Sequence, residues 1–472
     1  MSIALPKSRD WGSLIPVAAG IAWVTIGTGF GAWLLAWPQG LLLIATGVAA
    51  LLWPGDSRIP HYTALGAVLA LLLSVPGLFV LSFLPLLLAV ALSVAAFLYA
   101  GRIALRLAER APGAPEPPAD LKIWAKAALD EALLGYFVIC AKIPSGAEAE
   151  ELVRDAALME AVLSQRGWLD HPEYYHQIPG APTDVELSPA SFKSFSYQHL
   201  KFSSEFRPHA EIPGAELWNS YVPNRTCHAS LFRQPEAGRP WLLCIHGYRM
   251  GTTFLDLRLF APHILFQRLK LNVVMPTLPL HGSRRIGPQS GDHYLDGDPL
   301  DLLFAQTQAL WDLRRTIAWI RAQEPNARIG VLGYSLGGYN AALLATHEPG
   351  LDFVVAGIPV ADFASVLWQH VPPQLRTYFE AEGLSRERYQ RLLHLVSPLT
   401  LPPKLPAERL HLFAGSADRI VPPGQPLKLA AHWQREVHWY HGAHLTFRGE
   451  RAVVRCIDDA MTGAGWKGPR SI

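Results

Sequence analysis

One short motif, G-Y-S-L-G at residues 333–337, constrains the fold of this chain more than any other feature. The apolar run 328–332 precedes it and predicts a short buried strand, and the run 338–347 predicts the start of a helix. Ser335 therefore falls on a sharp strand-to-helix turn, where flanking glycines remove Cβ atoms that would clash. Such a serine is suited to nucleophilic attack. The alternative, a simple helix cap, would not need glycine on both sides.

Backbone donors for a serine nucleophile are predicted on either side of this turn. The apolar run 240–245 reads as a buried strand that ends at a His-Gly-Tyr sequence. We expect an N–H group at or just after Gly247, that of Tyr248, to join the N–H of Leu336. Two such donors would form an oxyanion hole for the negative charge that develops during acyl transfer.

An acid and a base follow the serine in the chain. Asp418 comes directly after the predicted strand 410–414, and His444 lies in the loop after the last predicted strand, 437–440. Asp362, just past an earlier strand, is the alternative acid. His441 is the alternative base, although its position at the end of a strand leaves it less free to move.

The order Ser335, Asp418, His444 resembles the chain order of the α/β-hydrolase superfamily, and the resemblance covers residues 195–465. It implies a mostly parallel sheet flanked by helices and an esterase- or lipase-like serine hydrolase. In that family Ser335 would be the nucleophile and His444 the general base. Asp418 would orient the imidazole and stabilise its cation. The resemblance implies no cofactor, and the sequence contains no metal-binding pattern.

Polar residues near the expected mouth of the site are candidate substrate-binding groups. An arginine there would neutralise a carboxylate or phosphate of the substrate. The alternative is a structural turn with solvated arginines. The candidates are Arg249, His281, Arg284 and Arg285.

A helical insertion, predicted at about residues 361–401, interrupts the strand–helix rhythm at the position of a cap over the serine. Its aromatic and aliphatic residues would suit an acyl group. Alternatively, they form the core of the insertion itself.

Two long stretches near the start of the chain contain no charged residue, residues 11–55 and 59–101. A membrane helix needs about 20 apolar residues, so each stretch has room for two spans. We therefore predict four membrane helices in a domain of residues 1–110, with hairpin turns at 37–40 and 74–77. A soluble helical bundle would keep a charged face, which these stretches lack.

Positive residues predict the orientation of these spans. They fall on one side of the four-span arrangement, whereas the two hairpin turns carry none. By the positive-inside rule that side is cytoplasmic, which makes this an integral protein of a bacterial-type inner membrane with a cytoplasmic catalytic domain. The cysteines, whose spacing shows no disulfide framework, suit the same reducing compartment. The positive residues are Lys7, Arg9, Arg58, Arg102, Arg106 and Arg110, and the cysteines are Cys140, Cys227, Cys244 and Cys456.

A Pro-rich linker at 111–120 is predicted to separate the membrane domain from the rest. A helical accessory region, 121–194, follows, with one helix over 120–142 and another over 146–166. These helices would pack either on the hydrolase or on the membrane surface. The catalytic domain is assigned to residues 195–472. A net charge of +2 gives no reason to expect nucleic-acid binding.

The sequence thus predicts hydrolysis of a carboxylic ester through an acyl-enzyme on Ser335. The membrane helices suggest a lipid-derived or other membrane-partitioning ester, and a small-molecule ester is the alternative. Two other functions remain open: an acyltransferase that uses the same residues, and a non-catalytic membrane-tethered scaffold. The oligomeric state is not predicted.

Overall fold

The structure, a computed structural model, describes residues 10–27, 29–295 and 297–466. The chain divides into two compact units. The first unit consists of Met1–Cys140, Ala414–Gly424 and Trp439–Glu450, and the second of Ala141–Phe413, Gln425–His438 and Arg451–Ile472. Lys7 and Arg9, two of the positive residues that predicted the orientation of the membrane helices, lie outside the described residues.

In the described residues the first unit contains five α-helices, of which three are long and apolar enough to cross a membrane. Those three are the second, third and fourth. The first has only 11 residues, about 16 Å of helix against a hydrocarbon core of about 30 Å. The prediction of four spans is therefore wrong for the described residues. The helices are α1 (Leu14–Val24), α2 (Phe30–Leu52), α3 (Ile59–Gly77), α4 (Phe83–Leu107) and α5 (Leu121–Cys140).

The predicted hairpin turns were misplaced because both prolines lie inside helices. Pro38 is in α2 and Pro76 is in α3. Proline removes one backbone hydrogen bond, and apolar helices tolerate this where another group compensates.

Helix α5 packs closely on the preceding apolar helices of the first unit. A Cβ atom on Gly101 of α4 would lie 1.9 Å from the carbonyl oxygen of Trp124 in α5, so only glycine permits this approach. Helix α6 (Gly146–Gln165) instead belongs to the second unit, where Glu160 pairs with Arg388 at 2.6 Å. The boundary between the units thus falls at Cys140, inside the predicted accessory region.

A nine-stranded sheet organises the second unit and extends to β9, with the order β1-β2-β3-β5-β4-β6-β7-β8-β9. Strands β1 to β3 are antiparallel, and β3 pairs antiparallel with β5. From β5 through β4, β6 and β7 to β8 the pairing is parallel. The strands are β1 (Glu186–Phe192), β2 (Phe195–Ser203), β3 (Thr226–Phe232), β4 (Trp241–Ile245), β5 (Asn272–Pro276), β6 (Ile329–Tyr334), β7 (Phe353–Gly357), β8 (Leu410–Gly415) and β9 (His438–Tyr440).

The parallel strands are buried along their whole length because helices of the second unit flank them. Continuous apolar runs such as WLLCI in β4 and FVVAG in β7 are typical of strands covered on both faces. The predicted mostly parallel sheet flanked by helices is confirmed. The α-helices that follow α6 in the chain are α7 (Ala215–Ser220), α8 (Thr253–Phe260), α9 (Asp301–Gln323), α10 (Leu336–His347), α11 (Phe363–Trp368), α12 (Pro373–Ala381), α13 (Arg386–Leu392), α14 (Gly424–Trp433) and α15 (Arg451–Gly463).

The helical insertion between β7 and β8 consists of α11, α12 and α13. Its aromatic residues are largely buried among themselves and against α10. Phe363 packs on Tyr339 with ring centroids 4.5 Å apart, and Phe379 lies 6.4 Å from Trp368. These contacts favour the interpretation that the aromatic residues form the core of the insertion.

Candidate active site

Ser335 lies in a strained turn between β6 and α10, in the second unit. Its backbone has φ 59° and ψ −116°, a region that non-glycine residues rarely adopt. Holding one residue in such a conformation costs about 1–3 kcal/mol, so the surrounding structure must impose it. Here the Ser335 N–H donates to the carbonyl of Gly357, and the Ser335 carbonyl accepts from the N–H of Tyr339. The turn therefore has the geometry predicted from the sequence.

Both glycines of the motif are required by close backbone contacts. A Cβ atom on Gly333 would lie 2.0 Å from the carbonyl oxygen of Gly337. One on Gly337 would lie 2.0 Å from the carbonyl oxygen of Ile245, at the end of β4. Non-bonded carbon and oxygen atoms do not approach so closely, so the strand, turn and helix can pack this way only with glycine at both positions.

The loop after β4 reaches the same turn. A Cβ atom built on Gly247 would lie 3.6 Å from the Cβ of Ser335, in ordinary contact. His246 fixes this loop, because its Nδ1 donates to the carbonyl of Gly247 while its Nε2 accepts from the N–H of Leu278, 3.0 Å away. The role of the Tyr248 and Leu336 N–H groups as oxyanion donors stays a prediction.

Asp418 and His444 are brought together in the first unit. The Asp418 Oδ2 lies 2.7 Å from the His444 Nδ1. The other carboxylate oxygen accepts from the backbone N–H groups of Ile420 at 3.0 Å and Val421 at 2.7 Å. Both side chains are almost wholly buried. The carboxylate is thus held by its own loop and aimed at the imidazole, which leaves Nε2 as the nitrogen for a proton transfer.

The surroundings of His444 favour its cationic form. Burial alone lowers the pKa of His444, but the charge of Asp418, its hydrogen bond and the charge of Asp130 outweigh burial. The pKa of His444 therefore lies above its usual value. A base with a raised pKa takes a proton from a hydroxyl more readily and stabilises the resulting cation.

The alternative acid and base have other partners. The Asp362 Oδ1 caps α11 by accepting from the N–H of Ser365 at 3.1 Å, and its Oδ2 pairs with Lys428 at 2.7 Å. His441 is exposed, and its Nδ1 lies 3.2 Å from the Ser416 hydroxyl. Neither arrangement is the carboxylate–imidazole pair expected of an acid and base, so the geometry favours Asp418 and His444.

The predicted substrate-binding arginines differ in their surroundings. Arg284 is fully buried and its Nη2 pairs with Asp312 at 2.7 Å, which argues against the predicted role in binding a substrate anion. Arg249 pairs with Asp292, also at 2.7 Å. Only Arg285 is exposed, where it donates to a backbone carbonyl. The predictions for Arg249 and Arg285 stay predictions.

His281, the fourth candidate, is buried and donates from Nδ1 to the carbonyl of Pro279 at 2.8 Å. Burial lowers the pKa of His281 well below its usual value. It is therefore neutral near pH 7 and unsuited to binding an anion by charge.

Asp130, a fully buried residue of α5, was not predicted from the sequence, although it contacts the loops of Asp418 and His444. A signal was present, because the run ALDEALLG places two adjacent acids in an otherwise apolar helix. Buried acids need partners, but nothing in the sequence indicates which ones.

Comparison with known proteins gives two relatives in Mycobacterium tuberculosis. An uncharacterized protein of strain CDC 1551 / Oshkosh is 38% identical over 323 residues, which cover 67% of this chain and 76% of that protein. An uncharacterized protein of strain ATCC 25618 / H37Rv is 37% identical with the same coverage. The model of the Prolyl oligopeptidase family matches residues 316–449. The chain belongs to the α/β-hydrolase superfamily. It shares its family with the two mycobacterial proteins.

Among solved structures, the hydrolase is similar to acetyl xylan esterase 1 from Thermoanaerobacterium sp. JW/SL YS485, with 19% identity and a TM-score of 0.41. That match covers 70% of the hydrolase and 96% of the esterase. The segment matched by the Prolyl oligopeptidase family includes Ser335, Asp418 and His444. The family match and these three residues support a serine hydrolase.

Proposed function

We propose that this protein hydrolyses carboxylic esters through a covalent acyl-enzyme on Ser335. The observation that carries the proposal is the strained turn of Ser335, which two close backbone contacts at Gly333 and Gly337 impose. Residues held in sparsely populated backbone conformations cluster at active sites. The Asp418–His444 pair adds the acid and base that a serine nucleophile needs.

The proposed reaction has two steps. His444 Nε2 accepts the proton of the Ser335 hydroxyl as the oxygen attacks the ester carbonyl, and the N–H groups of Tyr248 and Leu336 bind the oxyanion. The C–O bond then breaks and the alcohol leaves with the proton from His444. In the second step His444 activates a water molecule, which releases the acid and regenerates the serine.

Peptide hydrolysis is the second candidate, favoured by the match to the Prolyl oligopeptidase family. The same residues would serve, but an amine leaves only when His444 protonates it.

Matched fluorogenic substrates separate the two candidates. We expect measurable turnover of methylumbelliferyl esters and a kcat/KM at least about 100-fold lower for peptidyl aminomethylcoumarin amides, a difference of about 2.7 kcal/mol in transition-state stabilisation. Faster turnover of the amides would make the protein a peptidase. Adding a competing alcohol or amine and analysing products distinguishes hydrolysis from acyl transfer, because an acyltransferase would give mainly the transfer product.

We also propose that α2, α3 and α4 anchor the protein in a bacterial-type inner membrane, with the catalytic region in the cytoplasm. In a three-span arrangement the loop with Arg58 and the end of α4, which carries Arg102 and Arg106, fall on one side. The positive-inside rule makes that side cytoplasmic.

A pair of C-terminal reporter fusions tests the orientation. We expect a fluorescent protein that folds only in the cytoplasm to be active and a phosphatase that folds only in the periplasm to be inactive. The opposite result would place the catalytic region outside the cytoplasm.

A further inference from the structure

Asp130 is a buried carboxylate at the centre of a hydrogen-bond network in the first unit. Its side chain has no exposed surface. Its Oδ2 accepts from the backbone N–H of Arg419 at 3.0 Å and from that of His444 at 2.7 Å, and its Oδ1 accepts from the N–H of Leu445 at 3.2 Å. One side chain of α5 therefore binds two loops that follow it by about 290 and 315 residues.

Those two loops carry the acid and the base of the proposed mechanism. Arg419 directly follows Asp418, and the second loop contains His444 itself. The distance of 2.7 Å between Asp418 and His444 depends on how the loops are held relative to each other. Asp130 joins them through main-chain atoms, which fixes the backbone from which both side chains project.

The neighbouring residue Glu131 anchors α5 in place. It is also fully buried, and its Oε1 accepts from the Arg419 Nε at 2.8 Å. Its Oε2 is hydrogen-bonded to the Nδ1 of His61, near the start of α3. Burial opposes ionisation of Glu131, but the hydrogen bonds and charges of His61 and Arg419 hold its pKa below the usual value. The network thus continues from α3 through α5 to the Asp418 loop.

We propose that Asp130 is a positioning residue for catalysis, which holds the loops of Asp418 and His444 in register and supplies a negative charge beside the imidazole. The inference rests on the proposed function, because it gives His444 the role of general base. Asp130 touches neither substrate nor reacting atoms in this scheme. It acts through His444.

The charge of Asp130 is linked to that of His444. Burial and the charge of Asp418 raise the pKa of Asp130 to about 7, while His444 and the backbone N–H groups act in the opposite direction. A negative charge at Asp130 in turn raises the pKa of His444. The other charged and titratable groups of α3, α5, β9 and the Asp418 loop near this pair are Asp418, Arg419, Tyr440, Glu131, His61 and Lys126.

The Asp130→Asn variant of the full-length protein tests the proposal. Asparagine keeps the size of the side chain but removes the charge, and its NH₂ group cannot accept the N–H bonds that the second oxygen accepts. We expect kcat for ester hydrolysis to fall by about 10–100-fold, as misplacement of a reacting group by about 1 Å does, with little change in KM. The acid limb of the pH–kcat profile should move to lower pH by up to about one unit, because His444 loses a neighbouring anion.

Asp301→Asn is the matched control. Asp301 is another largely buried carboxyl whose pKa is raised to about 7 by burial and by Asp298, but it belongs to the second unit and to neither loop. We expect the control to keep the wild-type pH profile. The proposal would be overturned if Asp130→Asn had the same kcat and the same acid limb as the wild type. It would also be overturned if the variant gave less folded protein but each folded molecule kept the wild-type kcat.

Fluorophosphonate labelling separates failure of this inference from failure of the proposed function. Wild-type protein that is folded and unlabelled would sink the function itself. Labelling of the wild type and of Asp130→Asn at equal rates would leave the function intact and reject the positioning role.

Hydrogen exchange of the wild-type protein provides a second measurement if Asp130→Asn does not fold. Protonation weakens a carboxylate as an acceptor. We expect peptides that contain Arg419 and His444 to lose about tenfold protection, corrected for intrinsic rates, as the pH falls through 7, while α10 peptides keep theirs. Exchange at Arg419 and His444 as fast as in an unstructured peptide at pH 8 would reject the role of Asp130.

Discussion

The Ser335→Ala variant is expected to lose fluorophosphonate labelling and about 10⁴–10⁶-fold in kcat toward esters, the cost of removing a serine nucleophile. The fold should survive the change. Ser335 makes no side-chain cap bond to α10, and its backbone strain is similar for serine and alanine. The thermal midpoint should therefore stay near that of the wild type, which circular dichroism measures.

Ser283→Ala is the control for this experiment. Ser283 is an exposed serine in the turn after β5, and its replacement should leave labelling and turnover unchanged. Labelling of Ser335→Ala at the wild-type rate would assign the nucleophile to another residue and would remove the main support for an acyl-enzyme at this turn.

The Asp418→Asn variant is expected to lower kcat by about 10⁴-fold, because asparagine in this role selects the wrong tautomer of the histidine. The carboxylate Oδ2 accepts the proton that His444 carries on Nδ1. An amide nitrogen at that position would instead donate to Nδ1, so the proton would move to Nε2 and the histidine could no longer take one from the serine. The carbonyl oxygen of the amide can still accept from Ile420 and Val421, so the loop should keep its shape.

Asp362→Asn is the matched control, since Asp362 is the other acid that the sequence allowed. It should change kcat by less than about threefold and weaken the contacts of Oδ2 with Lys428 at 2.7 Å and with Gln390 at 3.4 Å. Reversed effects of the two substitutions would assign the acid to Asp362. Initial rates at saturating substrate, expressed per molecule of protein shown to be folded by circular dichroism, decide between them.

Local sequence was sufficient to predict the strands of the parallel sheet and the turn at Ser335. A continuous apolar run such as IGVL at 329–332 predicts a covered strand or a buried helix, and the glycines after it favour the strand. The run predicted at 410–414 forms β8, Leu410–Gly415. These elements depend on interactions among close neighbours in the chain, which the sequence displays directly.

Other features could not be predicted because the sequence does not show which distant groups they contact or where a helix begins and ends. Arg284 looked like a solvated or substrate-binding arginine, but its partner Asp312, on α9, follows 28 residues later. Pro38 was predicted to lie in a turn, but it lies inside α2. The number of apolar residues in an uncharged stretch does not show where the stretch divides into helices. The role of Asp130 depends on backbone groups about 300 residues away, and no local pattern encodes it.

The position of α5 limits how this protein can be divided. Asp130 and Glu131 follow the Pro-rich segment 111–120 that would look like the natural border between a removable anchor and an independent enzyme. A protein shortened to begin after residue 110 would keep both carboxylates but lose His61, the partner of Glu131. One shortened to begin after Cys140 would leave the loops of Asp418 and His444 without either acid. An exchange of the membrane region for another targeting segment would therefore preserve an active enzyme only if α5 stayed with the enzyme.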